Sequence, residues 1–116
     1  MGSDQTPNER PTFLYRLEVT RPEMVTEGAT EEERQVLAAH FAHLRDLTLA
    51  GVVLLAGRTL TSDPLPFGLV IFFAENAAEA RQLMARDPVV EHGLMRAELF
   101  PYRIALLGAT TRTEAI

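Results

Sequence analysis

Apolar and polar residues follow one another along the chain in a pattern that predicts strands and helices in a fixed order. The segment 12–19 (TFLYRLEV) has apolar side chains at every second position, which is typical of a strand with one buried face. Residues 31–50 repeat apolar positions at helical spacing. Two short, continuously apolar runs follow, 52–56 (VVLLA) and 69–74 (LVIFFA), before a second helical segment and a last strand from about 96 to 107. The predicted order is β-α-β-β-α-β.

Polar residues mark the ends of the predicted helices. Thr30 and Glu33 have the spacing of a capping box at the start of the first helix. Gly51 follows the end of that helix, where glycine is favoured. The Asp87-Pro88 step ends the second helix, because the residue before a proline avoids helical backbone angles.

The remaining stretches are predicted to be connections and tails. Residues 20–29 are expected to form a polar connection, and 57–68, which contains two prolines, an irregular hairpin loop. Pro101 predicts an edge position or a bulge in the last strand. We expect one domain over residues 12–107, between a flexible segment at 1–11 and a loose tail at 108–116.

The element order and lengths predict a ferredoxin-like α+β fold, a four-stranded antiparallel sheet with two helices on one face. Strands in such a sheet should alternate between apolar and polar side chains. The two middle strands do not alternate, so both faces of the sheet are expected to be covered. The simplest cover for the second face is another copy of the chain, related by a two-fold axis. The sequence therefore predicts a homodimer through the sheet face.

One polar residue interrupts the apolar stripe of the first predicted helix. At about 100° per residue, Val36, Leu44 and Leu47 fall within roughly 40° of His40 on the helical wheel. An imidazole at such a position loses hydration unless another group hydrogen-bonds to it. Asp87 at the end of the second helix is the candidate partner. A His–Asp pair in a small apolar domain indicates proton-transfer chemistry.

Composition excludes several classes of function. The chain has 116 residues, of which 47% are hydrophobic, and a net charge of −5, with its basic residues scattered, so a nucleic-acid-binding protein is not expected. Cysteine and lysine are both missing from the sequence, which rules out thiolate and Schiff-base chemistry. No run reaches the roughly 18 apolar residues that mark a membrane span. The polar N-terminus does not have the pattern of a signal peptide, so we expect a cytoplasmic protein.

Each candidate residue also has a purely structural interpretation. His40 would serve equally as a buried histidine bonded to a carbonyl, and Asp87 as a helix cap. His43 lies roughly 60° from His40, at the edge of the stripe. His40, His43 and Asp46 have a spacing at which a metal is imaginable, but no known metal motif accompanies them. We therefore expect neither a metal nor another cofactor.

Arg58 and Tyr15 are the candidate substrate-binding residues. Arg58 follows the second strand and is either a solvated hairpin residue or a contact for the polar end of a ligand. Tyr15 lies on the inward face of the first strand, as a core residue whose hydroxyl reaches a polar rim. A lining of valine, leucine, isoleucine and phenylalanine favours a mainly apolar small molecule with one polar end.

Several short motifs resemble the YCII-related (YciI-like) family over roughly residues 12–107. They are HFAHLRDLTLAGVVLLAG, GLVIFFA, the RDP step and FPYRIAL. In that family a histidine lies eleven residues before the glycine that precedes the second strand, which here selects His40 with Gly51 and not His43. The family's aspartate lies in the D-P step, which is Asp87.

The resemblance implies a ferredoxin-like protomer that pairs into a dimeric α+β barrel, with a His–Asp active site of unassigned activity. Related barrels include muconolactone isomerases, chloromuconolactone dehalogenases and cofactor-free monooxygenases. The family often has Gly-Pro after the second strand, whereas this chain has Gly57-Arg58. Substrate preference is therefore not carried over from the family.

Three functions remain open from the sequence. The first is a small-molecule enzyme in which His40 and Asp87 transfer protons, as in isomerisation or elimination on a lactone or similar carbonyl compound. The second is a non-catalytic homodimer that binds or senses a small molecule with the same residues. The third is an accessory protein whose dimer surface is its function.

Overall fold

A computed structural model describes residues 10–108, so the predicted N-terminal segment and C-terminal tail lie almost entirely outside the described residues. Within this range the chain forms four strands and four helices. The strands are β1 (Thr12–Val19), β2 (Val53–Arg58), β3 (Phe67–Phe73) and β4 (Met95–Tyr102). The helices are α1 (Glu23–Thr26), α2 (Glu31–Leu49), α3 (Ala77–Ala85) and α4 (Pro88–Glu91).

The four strands form one antiparallel sheet in the order β2-β3-β1-β4. This order, with the helices in the β-α and α-β connections, confirms the predicted ferredoxin-like α+β fold. β4 lies at an edge of the sheet, which explains how it accommodates Pro101. At the opposite edge, the pairing of β2 with β3 shifts register between Val53 and Leu55. This irregularity breaks the alternation of side chains along β2.

The helices pack on one face of the sheet and bury every second residue of β1. Burial of this apolar surface is the main stabilising contribution to such a fold. The core consists of Phe13, Tyr15, Leu17, Leu44, Val53, Val70, Phe72, Ala74, Ala80 and Val89.

The start of α2 is fixed by the predicted capping box. The Thr30 hydroxyl accepts a hydrogen bond from the Glu33 amide (3.1 Å), and the Glu33 carboxylate accepts one from the Thr30 amide (2.8 Å). Arg21 adds two hydrogen bonds to the same carboxylate, at 2.6 and 2.7 Å. Just past the other end of α2, Gly51 has a φ of +80°, a left-handed angle that favours glycine. These contacts fix where α2 begins and ends.

Three local features differ from the sequence prediction. The expected polar connection contains the one-turn helix α1, and the turn after Asp87 forms the one-turn helix α4. The last strand ends at Tyr102, not near residue 107. Tyr102 pairs with Thr12, the first residue of β1, so residues 103–107 have no strand beside them to continue the ladder.

Within residues 10–108, no helix covers the other face of the sheet. Strand pairing places Leu14 beside Ile71 and Phe100, and Leu55 beside Ile71, all on this face. Leu55 is 61% exposed and Phe100 39% exposed. We call this the open sheet face, and its apolar residues are Leu14, Leu55, Leu69, Ile71, Phe73 and Phe100. Of the helices in residues 10–108, none has the length and apolar character needed to cross a membrane.

Candidate active site

The short helix α4 positions Asp87 at the centre of the molecule. Asp87 is the N-cap of α4, where its Oδ1 accepts a hydrogen bond from the Val89 amide at 3.2 Å, and Pro88 occupies the first turn. Helix α2 packs directly against α4. The apolar stripe of α2 therefore turns His40 toward the capping carboxylate, and the structure brings together the two residues that the sequence proposed as partners.

The carboxylate of Asp87 is completely buried and accepts three hydrogen bonds. His40 Nδ1 lies 2.6 Å from Oδ1, and the Tyr15 hydroxyl donates to Oδ2 at 2.6 Å. The Val89 amide is the third donor. Burial alone would raise the pKa of the Asp87 carboxyl, but the hydrogen bonds from His40 and Tyr15 outweigh it and lower that pKa below its ordinary value. Asp87 is therefore an anion at neutral pH.

This anion fixes the state of the histidine. A carboxylate only accepts hydrogen bonds, so the proton of a neutral His40 ring lies on Nδ1 and the lone pair on Nε2. Nε2 has no hydrogen-bond partner in residues 10–108, and it is not among the buried unpaired atoms of that range. The side chain is 18% exposed. His40 is thus held from one side and keeps an accessible basic nitrogen on the other.

Tyr15 is a structural neighbour of the pair and is completely buried. Its ring packs edge-to-face on Phe72, with centroids 5.6 Å apart. Burial, followed by the nearby Asp87 charge, raises the pKa of the Tyr15 phenol, so it remains protonated and continues to donate. The sequence placed Tyr15 on the inner face of β1 but gave no acceptor. The signal was present, since a tyrosine in an otherwise apolar stripe needs a polar partner.

Arg58 lies apart from this pair in the described structure. It is exposed at the end of β2 and lines an open cavity of about 230 Å³ with Leu55, Gly57, Thr59, Phe67 and Leu69. A second cavity, of about 260 Å³, is lined by residues 16, 18 and 96–98. Neither His40 nor Asp87 lines either one.

His43 is the neighbouring histidine on α2, and it does not join the pair. Its Nε2 is buried without a hydrogen-bond partner in residues 10–108. Over the same residues, no three histidine or acidic side chains lie close enough together to hold a metal ion. His40, His43 and Asp46 therefore do not form a cluster.

The fold and these contacts define a ferredoxin-like α+β protein with a candidate acid–base site. The sequence profile of the YCII-related domain matches residues 13–103. The chain therefore belongs to the YCII-related family, as its motifs indicated.

A solved structure shares the fold. It is 5-chloro-2-hydroxyhydroquinone dehydrochlorinase (TftG) from Burkholderia phenoliruptrix AC1100, in complex with 2,5-dihydroxybenzoquinone. The TM-score is 0.60 and the sequence identity 21%, and the match covers 79% of this chain and 93% of the other. At this identity the likeness shows the fold alone. No curated protein sequence gives a significant match to the chain.

Proposed function

We propose that this protein is a small-molecule enzyme in which His40 and Asp87 carry out general acid/base catalysis. The proposed reaction is an isomerisation or an elimination on a lactone or a similar carbonyl compound. The observation that carries the proposal is the arrangement of His40, whose Nδ1 is held by a buried carboxylate while Nε2 stays accessible. That is the geometry a general base requires.

The proposed chemistry follows from this arrangement. His40 Nε2 removes a proton from the carbon next to the carbonyl group, and Asp87 stabilises the imidazolium that forms. In an elimination, the C–H electron pair forms a double bond, and the leaving group departs with its own bonding pair. The imidazolium then returns its proton to water. In an isomerisation, it returns the proton to another carbon of the same molecule.

Two observations support proton transfer over acyl transfer. Within residues 10–108, no hydroxyl hydrogen-bonds to His40 Nε2, where the nucleophile of an acyl-transfer enzyme would lie, and the chain has no cysteine. The structural relative TftG is named a dehydrochlorinase, an enzyme type that removes hydrogen chloride as a proton and a leaving group. Of the two ligand contacts expected from the sequence, the proposal keeps Arg58 for the polar end of the ligand, because the completely buried Tyr15 hydroxyl donates to Asp87.

A substrate screen tests the proposal. Halogenated hydroxyhydroquinones, quinones and muconolactones are incubated with the protein, and halide release and ultraviolet absorbance are followed. His40→Ala should reduce any activity found by roughly 10²- to 10⁴-fold, the usual contribution of a general base. His92→Ala is the matched control, because His92 is exposed at the C-terminal end of α4.

Two outcomes would contradict the enzyme proposal. Activity that survives in a folded His40→Ala protein would show that His40 is not the base. Saturable ligand binding without turnover, lost in His40→Ala, would instead support the non-catalytic binding protein.

We further propose that two copies of the chain pair through the open sheet face. The apolar residues of that face would otherwise remain in contact with water. Beside them, β1 and β4 carry both signs of charge on the same face. Arg16 is paired with Glu18 at 2.7 Å, and Arg96 with Glu18 at 3.3 Å. A surface that carries both signs is able to complement a second copy of itself around a two-fold axis.

Sedimentation velocity at micromolar concentration tests the assembly. The wild-type chain should sediment as a dimer, and Leu55→Asp, which puts a charge into the open sheet face, should shift it to a monomer. Leu60→Asp is the control, because Leu60 is 86% exposed in the loop between β2 and β3. A monomeric wild-type protein would contradict the proposed dimer.

The cytoplasmic location expected from the sequence stays a prediction, which cell fractionation would test.

A further inference from the structure

We propose that Tyr15 is a positioning residue, which fixes the orientation of the Asp87 carboxylate and, by taking up part of its negative charge, weakens the binding of a proton by His40. The catalytic consequence of this role rests on the function proposed above. The effect on the protonation of His40 does not, and it is measurable without any substrate.

The two oxygens of Asp87 accept hydrogen bonds from different donors. Oδ1 accepts from His40 and the Val89 amide, whereas the Tyr15 hydroxyl is the one donor to Oδ2 within residues 10–108. Rotation of the carboxylate group would break the bonds to His40 and Tyr15 together. Because Asp87 and Tyr15 are both completely buried, water has no access to replace the hydroxyl. Tyr15 therefore fixes which oxygen the imidazole meets.

The position of Tyr15 is itself tightly constrained. Its backbone pairs with Val70 on one side and Leu99 on the other, in the middle of the sheet. Its ring rests on Phe72. The hydroxyl is thus presented by the most constrained part of the fold, as required of a group that orients a second group.

The Tyr15 hydroxyl also takes up part of the negative charge of Asp87. Without it, Oδ2 would be an unpaired acceptor in a dry site, and the anion would be less stable. A protonated imidazole compensates for this loss better than a neutral one does. Removal of the hydroxyl should therefore favour protonated His40 and move its titration to higher pH.

The other ionisable side chains on the elements around His40 lie on α2 itself and on α4 and β2, against which α2 packs. They are Glu31, Glu32, Glu33, Arg34, His43, Arg45 and Asp46 on α2, Glu91 and the C-cap His92 on α4, and Arg58 on β2. Within residues 10–108, none of these makes a hydrogen bond or ion pair with His40 or Asp87. Tyr15 and His40 are the only side chains of this range that hydrogen-bond to the Asp87 carboxylate.

The test is an NMR titration of His40 in the whole protein labelled with ¹⁵N-histidine. Tyr15→Phe keeps the ring on Phe72 and removes only the hydroxyl. We expect the midpoint of the His40 titration to rise by about half to one pH unit, the effect of one lost hydrogen bond. Tyr102→Phe is the matched control, since Tyr102 is the chain's other tyrosine and is 43% exposed. The midpoint of the His40 titration in Tyr102→Phe should equal that of the wild type.

A second measurement keeps the test decisive if Tyr15→Phe does not fold. In the Tyr102→Phe background, 3-fluorotyrosine enters only at position 15 and makes that phenol a stronger donor without removing it. The His40 midpoint should then move to lower pH, opposite to the Tyr15→Phe shift. An unchanged midpoint in the fluorotyrosine protein, or in Tyr15→Phe if that variant folds, would overturn the proposal, since a residue that only fills space would shift neither.

The outcome is separable from that of the proposed enzyme. If activity is found, its pH profile should move in the same direction as the His40 midpoint in each variant. If His40→Ala retains activity, the enzyme proposal fails while the shifts in titration still stand. If the shifts are absent but His40→Ala is inactive, the positioning role alone is wrong.

Discussion

Replacement of Asp87 by asparagine is the most direct test of how the buried pair is held. The asparagine side chain has the size of aspartate but one acceptor oxygen in place of two. If that oxygen keeps the bonds to His40 and Val89, the amide group faces the Tyr15 hydroxyl. The hydroxyl then loses its acceptor inside the protein, where it is completely buried.

The size of the effect follows from these contacts. A buried donor left without an acceptor costs about 1–3 kcal/mol. The bonds to His40 and Val89 also lose the assistance of a full negative charge, which is worth roughly 1 kcal/mol. Against this, the variant no longer has to bury an ion. We expect the free energy of unfolding at pH 7 to fall by about 2 kcal/mol.

The difference between wild type and Asp87→Asn should depend on pH with a definite sign. The pKa of Asp87 in the folded protein lies below its ordinary value of 3.8. Its ionised form therefore stabilises the fold fully above that value, and the stabilisation is lost as the pH falls through the lower, folded pKa. The gap between the two proteins should shrink below about pH 4, as the carboxylate takes up a proton.

Urea unfolding followed by circular dichroism provides the measurement. All proteins are compared at one protomer concentration, because a dimer would make stability depend on concentration. Asp46→Asn is the control, since Asp46 is 74% exposed and has only a 3.8 Å ion pair with Arg45. It should change stability by no more than about 0.5 kcal/mol. Equal stabilities of Asp87→Asn and wild type at pH 7, or a gap that does not narrow as the pH falls below 3.8, would refute the reasoning.

Two further substitutions test the start and end of α2. The Arg21 hydrogen bonds lower the pKa of Glu33 to about 2, so Glu33→Gln should destabilise the protein at pH 7, by an amount that shrinks between about pH 4.5 and 2. Urea titrations of Glu33→Gln and of the exposed Glu32→Gln measure this, and equal effects would contradict it. Gly51→Ala meets no atom within 4 Å but keeps the left-handed φ of +80°, so it should cost about 1–2 kcal/mol in urea unfolding. An unchanged free energy would show that the turn relaxes.

Local signals in the sequence were sufficient for the two longer helices, α2 and α3, and for the position of His40. The apolar stripe of α2 placed His40 among leucines, and the Asp-Pro step placed a carboxylate at a helix end. Each of these predictions uses only residues that are close to one another in the sequence. The one-turn helices α1 and α4 escaped prediction because four residues are too few to show a helical period.

The hydrogen bond between Tyr15 and Asp87 and the end of β4 could not be predicted from such local patterns, because both depend on how distant parts of the chain pack together. The Tyr15 hydroxyl meets a carboxylate 72 positions along the chain. That meeting depends on the register of β1 in the sheet and on how α4 packs over it. The end of β4 depends on the same register, because the apolar residues after Tyr102 continue the strand pattern but lie beyond the first residue of β1.

A comparison of two helix caps distinguishes a structural role of Asp87 from a functional one. Asn76 caps α3, a helix of nine residues, with one side-chain bond to the Glu79 amide, and both residues are exposed. Asp87 caps only the four residues of α4, yet it is a completely buried charge. Burial of a carboxylate costs several kcal/mol unless hydrogen bonds compensate for it, whereas a cap contributes about 1 kcal/mol. Capping therefore does not account for a buried ion with Tyr15 on one oxygen and His40 on the other. In the proposed function, this buried carboxylate holds one imidazole nitrogen and leaves the other accessible, which a helix cap alone does not require.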